Sequence, residues 1–190
     1  MGYACGGSAV LPAGDLSAWF GKGFSAEISA GRQHNTSWYI EGVADYSLFR
    51  NQHPVTDNDG NIHQNISLSL WYAGFMVQGK YILAQRPLFR PYVSIVAGPH
   101  YWRGIRGSVS ENEALAIPDI AEKVLNEWNM GFRTGTGTEV LLTENLVLDT
   151  GIAYRLVVGA LWPVMQEHIE LEAVNGFQTA AFYLRLKMYF

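Results

Sequence analysis

Apolar and polar side chains alternate with a period of two along most of the chain. The pattern is clearest over residues 178–190, where apolar residues occupy the even positions from 180 onward and Tyr183, Arg185, Lys187 and Tyr189 lie between them. Such alternation predicts a β-strand with one apolar face and one polar, basic face.

The same alternation predicts seven strands from Phe24 onward. They cover residues 24–32, 38–49, 65–83, 89–101, 129–142, 146–161 and 178–190. Several exceed the five or six residues that are usual in a globular sheet, and a tilted membrane strand needs about 9–11. A barrel with an even number of strands requires one more, which we place within residues 2–12 although glycines weaken the strand preference there.

The connections between these strands alternate strictly in length. Short turns lie at residues 33–36, 84–88 and 143–145, and long polar connections lie at 50–64, 104–127 and 162–176. Outer-membrane barrels have short periplasmic turns and long outer loops. The alternation therefore predicts an up-and-down antiparallel barrel, with a first outer loop around residues 14–21.

One of the long connections carries a helical signal. Ser110 and Glu113 have the spacing of a capping box. Apolar residues then recur at every fourth position, at Ile120, Val124 and Trp128. We expect a short amphipathic helix in this outer loop, packed over the barrel rim.

Composition supports a chain that lies partly in lipid. Charged residues make up only 16% and aromatic residues 13%, against about 25% charged residues in typical soluble domains. No apolar stretch reaches the 18 or so residues of a transmembrane helix. The net charge of -4 and the absence of like-charge runs give no support for nucleic-acid binding.

Ionisable side chains collect on the polar faces of the predicted strands. The acids are Glu27, Glu41, Asp45, Glu139 and Asp149, and the bases are Arg90, Arg133, Arg155, Arg185 and Lys187. Such a face would make a poor hydrophobic core but a good polar interior for a membrane barrel. Eight strands leave room only for side chains. The fold class is therefore all-β, with residues 1–190 forming a single eight-stranded transmembrane barrel without a pore.

Aromatic residues fall near the ends of the predicted strands, where interfacial belts are expected. One belt comprises Trp38, Tyr39, Tyr189 and Phe190. The other comprises Tyr101, Trp102, Trp128 and Trp162. Two such belts around an apolar band fit a bilayer.

Three segments resemble a known family. The sequence RPYV at 90–93, followed by Gly98, resembles a strand of small outer-membrane barrels, and 131–146 resembles their "G.G.G.E..LT.NL" hairpin. Terminal Phe190, with apolar residues at alternate places before it, resembles the signal recognised by the barrel-assembly machinery. Together they resemble the OmpA/OmpX/opacity-type family. The resemblance implies a bacterial outer-membrane location, contact with outer-membrane lipids and lipopolysaccharide, and a structural, adhesion or interaction role.

Some barrels of this kind are lipid A-modifying enzymes, which makes that activity the chief alternative. Deacylases carry a His-x-Ser pair on a late strand, but residues 153–156 read Ala-Tyr-Arg-Leu. His100 could instead pair with Glu111 or Glu113, with Ser108 or Ser110 as the nucleophile. The spacing is not specific, and we interpret His100 as a rim or loop histidine.

Metal sites receive little support. Asp57 and Asp59 resemble part of a calcium loop near His53 and His63, but the terminal glutamate at the required spacing is missing. His168, with Glu167 and Glu170, is interpreted as solvated loop charge. The segment Gly135-Thr136-Gly137 has no following helix to form a phosphate cradle. We expect no catalytic, cofactor or metal site.

Cys5 is the only cysteine, so no internal disulfide can form. We interpret it as a small residue of the first strand, with a lipid-anchored cysteine as the alternative. No secretory leader is recognisable at the start of the numbering. Since an exported barrel needs one, we expect that the leader is cleaved or lies outside this numbering.

The sequence thus predicts a non-enzymatic outer-membrane barrel that acts through its outer loops in adhesion, in structure or as an accessory subunit of a larger outer-membrane complex. The alternatives are a lipid A-modifying enzyme and a narrow channel.

Overall fold

Long antiparallel strands make up most of the chain. The computed structural model describes residues 1–14, 16–50, 55–56, 62–63, 66–86, 88–108, 123–158 and 176–190. The elements are β1 (Gly2–Ala13), α1 (Leu16–Trp19), β2 (Gly23–Gln33), β3 (Trp38–Arg50), β4 (Val55–Thr56), β5 (Ile62–His63), β6 (Ile66–Ile82), β7 (Phe89–Ser108), β8 (Lys123–Leu141), β9 (Leu146–Val158) and β10 (Phe177–Tyr189). No helix of the described residues is long and apolar enough to cross a membrane.

Eight of these strands close into a barrel in the order β1-β10-β9-β8-β7-β6-β3-β2, and β4 and β5 pair separately. Closure occurs where β1 pairs with β10, from Gly2 opposite Tyr189 to Ala13 opposite Gln178. The predicted fold class is confirmed, and the eighth strand, β1, covers the predicted segment 2–12 and ends one residue later, at Ala13. Closure leaves no open sheet edge in the bilayer, where an unpaired backbone amide would be costly.

The short helix expected in the outer loop 104–127 is unconfirmed, because the described residues of that segment, 104–108 and 123–127, lie in β7 and β8. Val124 and Trp128 lie in β8, paired with Ile105 and Tyr101 of β7. Ser110, Glu113 and Ile120 lie outside the described residues. Pairing with β7 satisfies the backbone of this segment, and this tertiary preference overrides a local helical spacing.

Outward and inward faces of the wall differ sharply in chemistry. Phe182, Leu184 and Leu186 of β10 are 59%, 51% and 49% exposed, whereas Arg185 between them is 4% exposed. Arg133 and Glu139 of β8 likewise point inward, while Phe132 is exposed. The apolar faces therefore form the outer wall, as a lipid-embedded barrel requires.

Aromatic side chains ring both ends of this wall. At the outer end, rings on β3, β6, β7 and β8 form a ladder whose neighbouring centroids are 5.7, 5.6 and 5.3 Å apart: Tyr46, Trp71, Tyr101 and Trp128. At the other end Trp38 packs on Tyr81 at 5.0 Å. Trp71 and Tyr81 are ten residues apart on β6, about 33 Å along the strand. With a tilt of roughly 35–45° the two belts are about 25 Å apart in height, which is the thickness of the apolar band.

Three aromatic residues assigned to the belts point inward instead: Trp102, Tyr39 and Tyr189, whose hydroxyl lies 3.2 Å from Glu139 Oε2. Trp102 and Tyr39 are 2% and 3% exposed, because each has the strand parity of the interior. Trp162 lies outside the described residues. Of the residues assigned to the belts, Trp38, Tyr101 and Trp128 do face outward, and they pack on outward rings that sequence reasoning did not select: Tyr46, Trp71 and Tyr81.

Candidate functional site in the barrel interior

All ten ionisable residues predicted for the polar faces lie in the interior of the barrel. Most are buried, and Arg90, near the short-turn end, keeps a side-chain exposure of 20%. The structure adds two more inward-facing basic side chains, Lys80 on β6 and His100 on β7, both fully buried. Because β-strand side chains alternate, one polar residue at every second position is enough to line the lumen.

Lys80 is the centre of an ion-pair network in the half of the barrel nearer the short turns. Its Nζ lies 3.0 Å from Glu139 Oε1 and 2.9 Å from Asp149 Oδ2, and 4.1 Å from the centroid of the Tyr92 ring. Sequence reasoning missed Lys80 because β6 carries mainly apolar and aromatic residues on its inward face. The spacing of Lys80 two residues after Gln78 is the signal that could have found it.

Each of these two carboxylates has further partners. Asp149 accepts hydrogen bonds from Arg185 Nη2 at 2.6 Å and from the Tyr92 hydroxyl at 2.5 Å. Glu139 is bound by Arg90 Nη2 at 3.0 Å and by the Tyr189 hydroxyl at 3.2 Å. Charges in a low-dielectric interior are tolerated only when they are paired in this way.

Two other carboxylates extend the network across the lumen. Glu27 of β2 accepts from Arg133 of β8 and Arg185 of β10, and Glu41 of β3 accepts from Lys187 of β10. These pairs join strands that are not neighbours in the sheet. The network therefore braces the barrel across its diameter.

His100 belongs to the interior and not to the rim, which corrects the sequence-based interpretation. β7 continues to Ser108, so residue 100 is mid-strand with inward parity. Its Nδ1 is 3.1 Å from the carbonyl oxygen of Gly98, and its Nε2 is 3.9 Å from Asp45 Oδ1. Asp45 also accepts a hydrogen bond from Arg155. Glu111, Glu113 and Ser110 lie outside the described residues, so the proposed pairing of His100 with them stays a prediction.

Glycines on both neighbouring strands make room for the His100 ring. A Cβ added to Gly131 of β8 would lie 2.2 Å from His100 Nδ1, and one added to Gly74 of β6 would lie 2.6 Å from His100 Nε2. We expect Gly131→Ala to lower the free energy of unfolding by about 1–3 kcal/mol through overpacking. Urea titration of the folded barrel in lipid vesicles measures this change.

Gly42→Ala is the matched control for that substitution. Gly42 is an outward-facing glycine of β3, and the nearest atom to an added Cβ there is the Ala30 carbonyl oxygen at 3.8 Å. We expect it to be neutral or slightly stabilising, since alanine has less conformational freedom to lose than glycine. Equal losses in the two variants would contradict a specific glycine fit around His100.

Aromatic rings close the lumen above the charges. The Tyr72 ring lies 5.9 Å from Phe49 and 6.4 Å from Phe177, and Trp102 packs on Phe177 at 5.4 Å. Between the charges, two cavities lined by Glu27, Arg133 and Arg185 have volumes of only about 20 and 10 Å³. Each has room for about one water molecule. Side chains thus fill the described part of the lumen.

The structure brings together no residues of the other sites that were considered from the sequence. His53, Asp57, Asp59, Glu167, His168 and Glu170 lie outside the described residues. Within the described ranges no group of three or more His, Cys, Asp or Glu residues could hold a metal ion. Gly135 and Gly137 are mid-strand in β8, and Cys5 is an exposed residue of β1.

Eight antiparallel strands, an apolar outer wall between two aromatic belts and an interior of paired charges define the fold of an eight-stranded outer-membrane β-barrel, as in barrels of the OmpA/OmpX/Ail type. The protein is accordingly located in the bacterial outer membrane.

Solved structures of other barrels share this fold. Neisserial surface protein A is 16% identical, with a TM-score of 0.60, and the match covers 100% of this chain and 96% of that one. Ail, the attachment invasion locus protein of Yersinia pestis, is 11% identical, with a TM-score of 0.53 and coverage of 100% and 97%. No family model and no curated protein matches the sequence. At these identities the likeness concerns the fold alone.

Proposed function

We propose that this barrel is a non-enzymatic outer-membrane protein that acts through its outer end, in adhesion, in structure or as an accessory subunit of an outer-membrane complex. The observation that carries the proposal is the length of three strands beyond the outer aromatic ladder. β6, β7 and β8 continue beyond the outer aromatic ladder, from Trp71 back to Ile66, from Tyr101 to Ser108 and from Trp128 back to Lys123.

These extensions support contact with a macromolecule outside the membrane. Seven residues beyond Tyr101 correspond to about 23 Å along the strand, so the paired ends of β7 and β8 project well past the bilayer. Since side chains fill the described lumen, the projecting end offers more surface for recognition than the interior does. Fold alone does not decide function, so the projecting surface must be tested directly.

Extraction in mild detergent, followed by identification of co-purifying proteins, tests the proposal. A variant in which residues 109–122 are replaced by a two-residue Asn-Gly turn should lose partners that the unaltered protein retains. Replacement of the short turn at 143–145 is the matched control and should keep them. The proposal would be contradicted if the unaltered protein were recovered as a monomer and if cells with and without the protein attached equally well to surfaces.

We also propose that the barrel does not modify lipid A. Mass spectra of lipid A from cells with and without the protein are expected to be identical. A mass difference that corresponds to a lost or added acyl group would establish the enzymatic alternative. Outer-membrane lipids and the barrel-assembly machinery, the latter through β10, remain the other proposed partners.

The filled lumen predicts that the barrel does not conduct ions steadily. Planar-bilayer recordings of the purified protein should show no stable unitary conductance, since cavities of about 20 and 10 Å³ do not form a continuous path. A barrel of eight strands has an interior just wide enough for side chains. A steady conductance that scales with protein concentration would favour the narrow channel instead.

A further inference from the structure

A groove of about 780 Å³ crosses the outward wall of β1, β10, β9, β8 and β7. Small outward side chains form its floor, among them Ala9 and Ala180. Larger neighbours, Ile152, Tyr154 and Phe182, border it. The groove lies on the surface that faces lipid, and it spans four inter-strand spacings, about 19 Å.

Strand register shows that this groove descends into the bilayer from the outer rim. Leu11 pairs with Ala180, Ala180 with Tyr154, and Tyr154 with Thr134. Leu11 lies two residues from the outer end of β1. Thr134, by contrast, lies six residues below Trp128 of the outer aromatic ladder. One end of the groove is therefore near headgroup height and the other is within the apolar band.

A cation marks the upper end. Lys22 lines the groove, is exposed and directly precedes β2, where Gly23 pairs with Val10. Among the residues that the structure describes, Lys22 has no carboxylate within salt-bridge distance, in contrast to the paired lysines of the interior. An exposed ammonium group beside an apolar groove is complementary to a lipid phosphate above its acyl chain.

We propose that the groove seats one acyl chain of a phosphorylated lipid of the outer leaflet, with the lipid phosphate bound by Lys22 Nζ. Moving an acyl chain from bulk lipid into the groove yields no hydrophobic gain, because both surroundings are apolar. Preference therefore comes from the shape of the groove and from the Lys22–phosphate pair. The proposal depends on the placement of the wall in lipid and is independent of the function proposed for the outer end.

Native mass spectrometry of the full barrel, released from nanodiscs that contain diphosphoryl hexa-acyl lipid A, counts the lipids retained by each protein. We expect one retained lipid A, and markedly less retention of the dephosphorylated form. Lys22→Ala should weaken retention about fivefold, the effect of one basic residue near a charged membrane surface. Arg103→Ala is the matched control, since Arg103 is a cation of β7 two residues beyond Tyr101 of the outer aromatic ladder, pairs with Trp71 and does not line the groove.

A second pair of variants tests the groove itself. Ala180→Phe fills the groove and should reduce lipid A retention severalfold. Ala44→Phe is the control and should leave lipid A retention unchanged. It places the same ring in a separate outward groove of about 620 Å³, which is bordered by Ile28, Phe75 and Val77 and has no cation in its lining. Heat-modifiable migration confirms that each variant is folded. Retention that is unchanged in both Lys22→Ala and Ala180→Phe, or that falls equally in their controls, would overturn the proposal.

Discussion

Replacing Asp149 by asparagine is expected to lower the free energy of unfolding by about 3–5 kcal/mol. The change keeps the shape of the side chain but removes the charge that Lys80 contacts at 2.9 Å and Arg185 at 2.6 Å. Both cations would then lie in a low-dielectric interior with fewer counter-charges. Urea unfolding of the barrel in lipid vesicles, followed by tryptophan fluorescence, measures the loss.

Glu144→Gln controls for the removal of one carboxylate charge. Glu144 is exposed in the turn between β8 and β9, and a surface change of this kind usually alters stability by less than about 0.5 kcal/mol. Lys80→Met combined with Asp149→Leu should recover part of the loss, since replacing a buried pair by apolar residues is often neutral. If Asp149→Asn lowered the free energy of unfolding no more than Glu144→Gln does, the network would not stabilise the barrel.

The second large effect is expected on the outer wall. Phe182→Arg places a charge in the middle of the apolar band, where an arginine on the lipid face of a barrel costs about 2–4 kcal/mol. Phe182 is 59% exposed and pairs with Ala9 and Ile152 near the centre of the wall. In a water-soluble barrel the same substitution would cost little, because the side chain would already face solvent.

Met188→Arg gives the depth control on the same strand. Met188 faces outward but pairs with Tyr3 and Leu146 at the short-turn end, close to the interface. There the expected cost is only about 0–1 kcal/mol. The difference between the two variants reports depth, and equal costs would count against a bilayer around this wall.

The alternation of apolar and polar residues predicted most of the strands. Residues 178–190 and 38–49 were predicted within one residue of β10 and β3, because one face of each strand is almost wholly apolar. The outer ends were predicted less well. β7 and β8 extend into a segment whose apolar residues, Val124 and Trp128, also have a helical spacing. Local spacing cannot report that Ile105 and Tyr101 lie opposite them.

The interior was predicted in kind but not in detail. Alternation identified which charges share a face, whereas the choice of partners depends on register and on closure of the barrel. Lys80 reaches Glu139 and Asp149 across 59 and 69 residues of sequence. His100 was misplaced because the length of β7 was underestimated, and with it the depth of that residue in the lumen.

Spin labels on β10 test the central claim most directly, in a Cys5→Ala background and in lipid bilayers. Nitroxides at residues 182, 184 and 186 should collide readily with dissolved oxygen and rarely with a water-soluble nickel complex. Frequent collision with nickel at these three positions, and little contact with oxygen, would show that the apolar side chains do not face acyl chains.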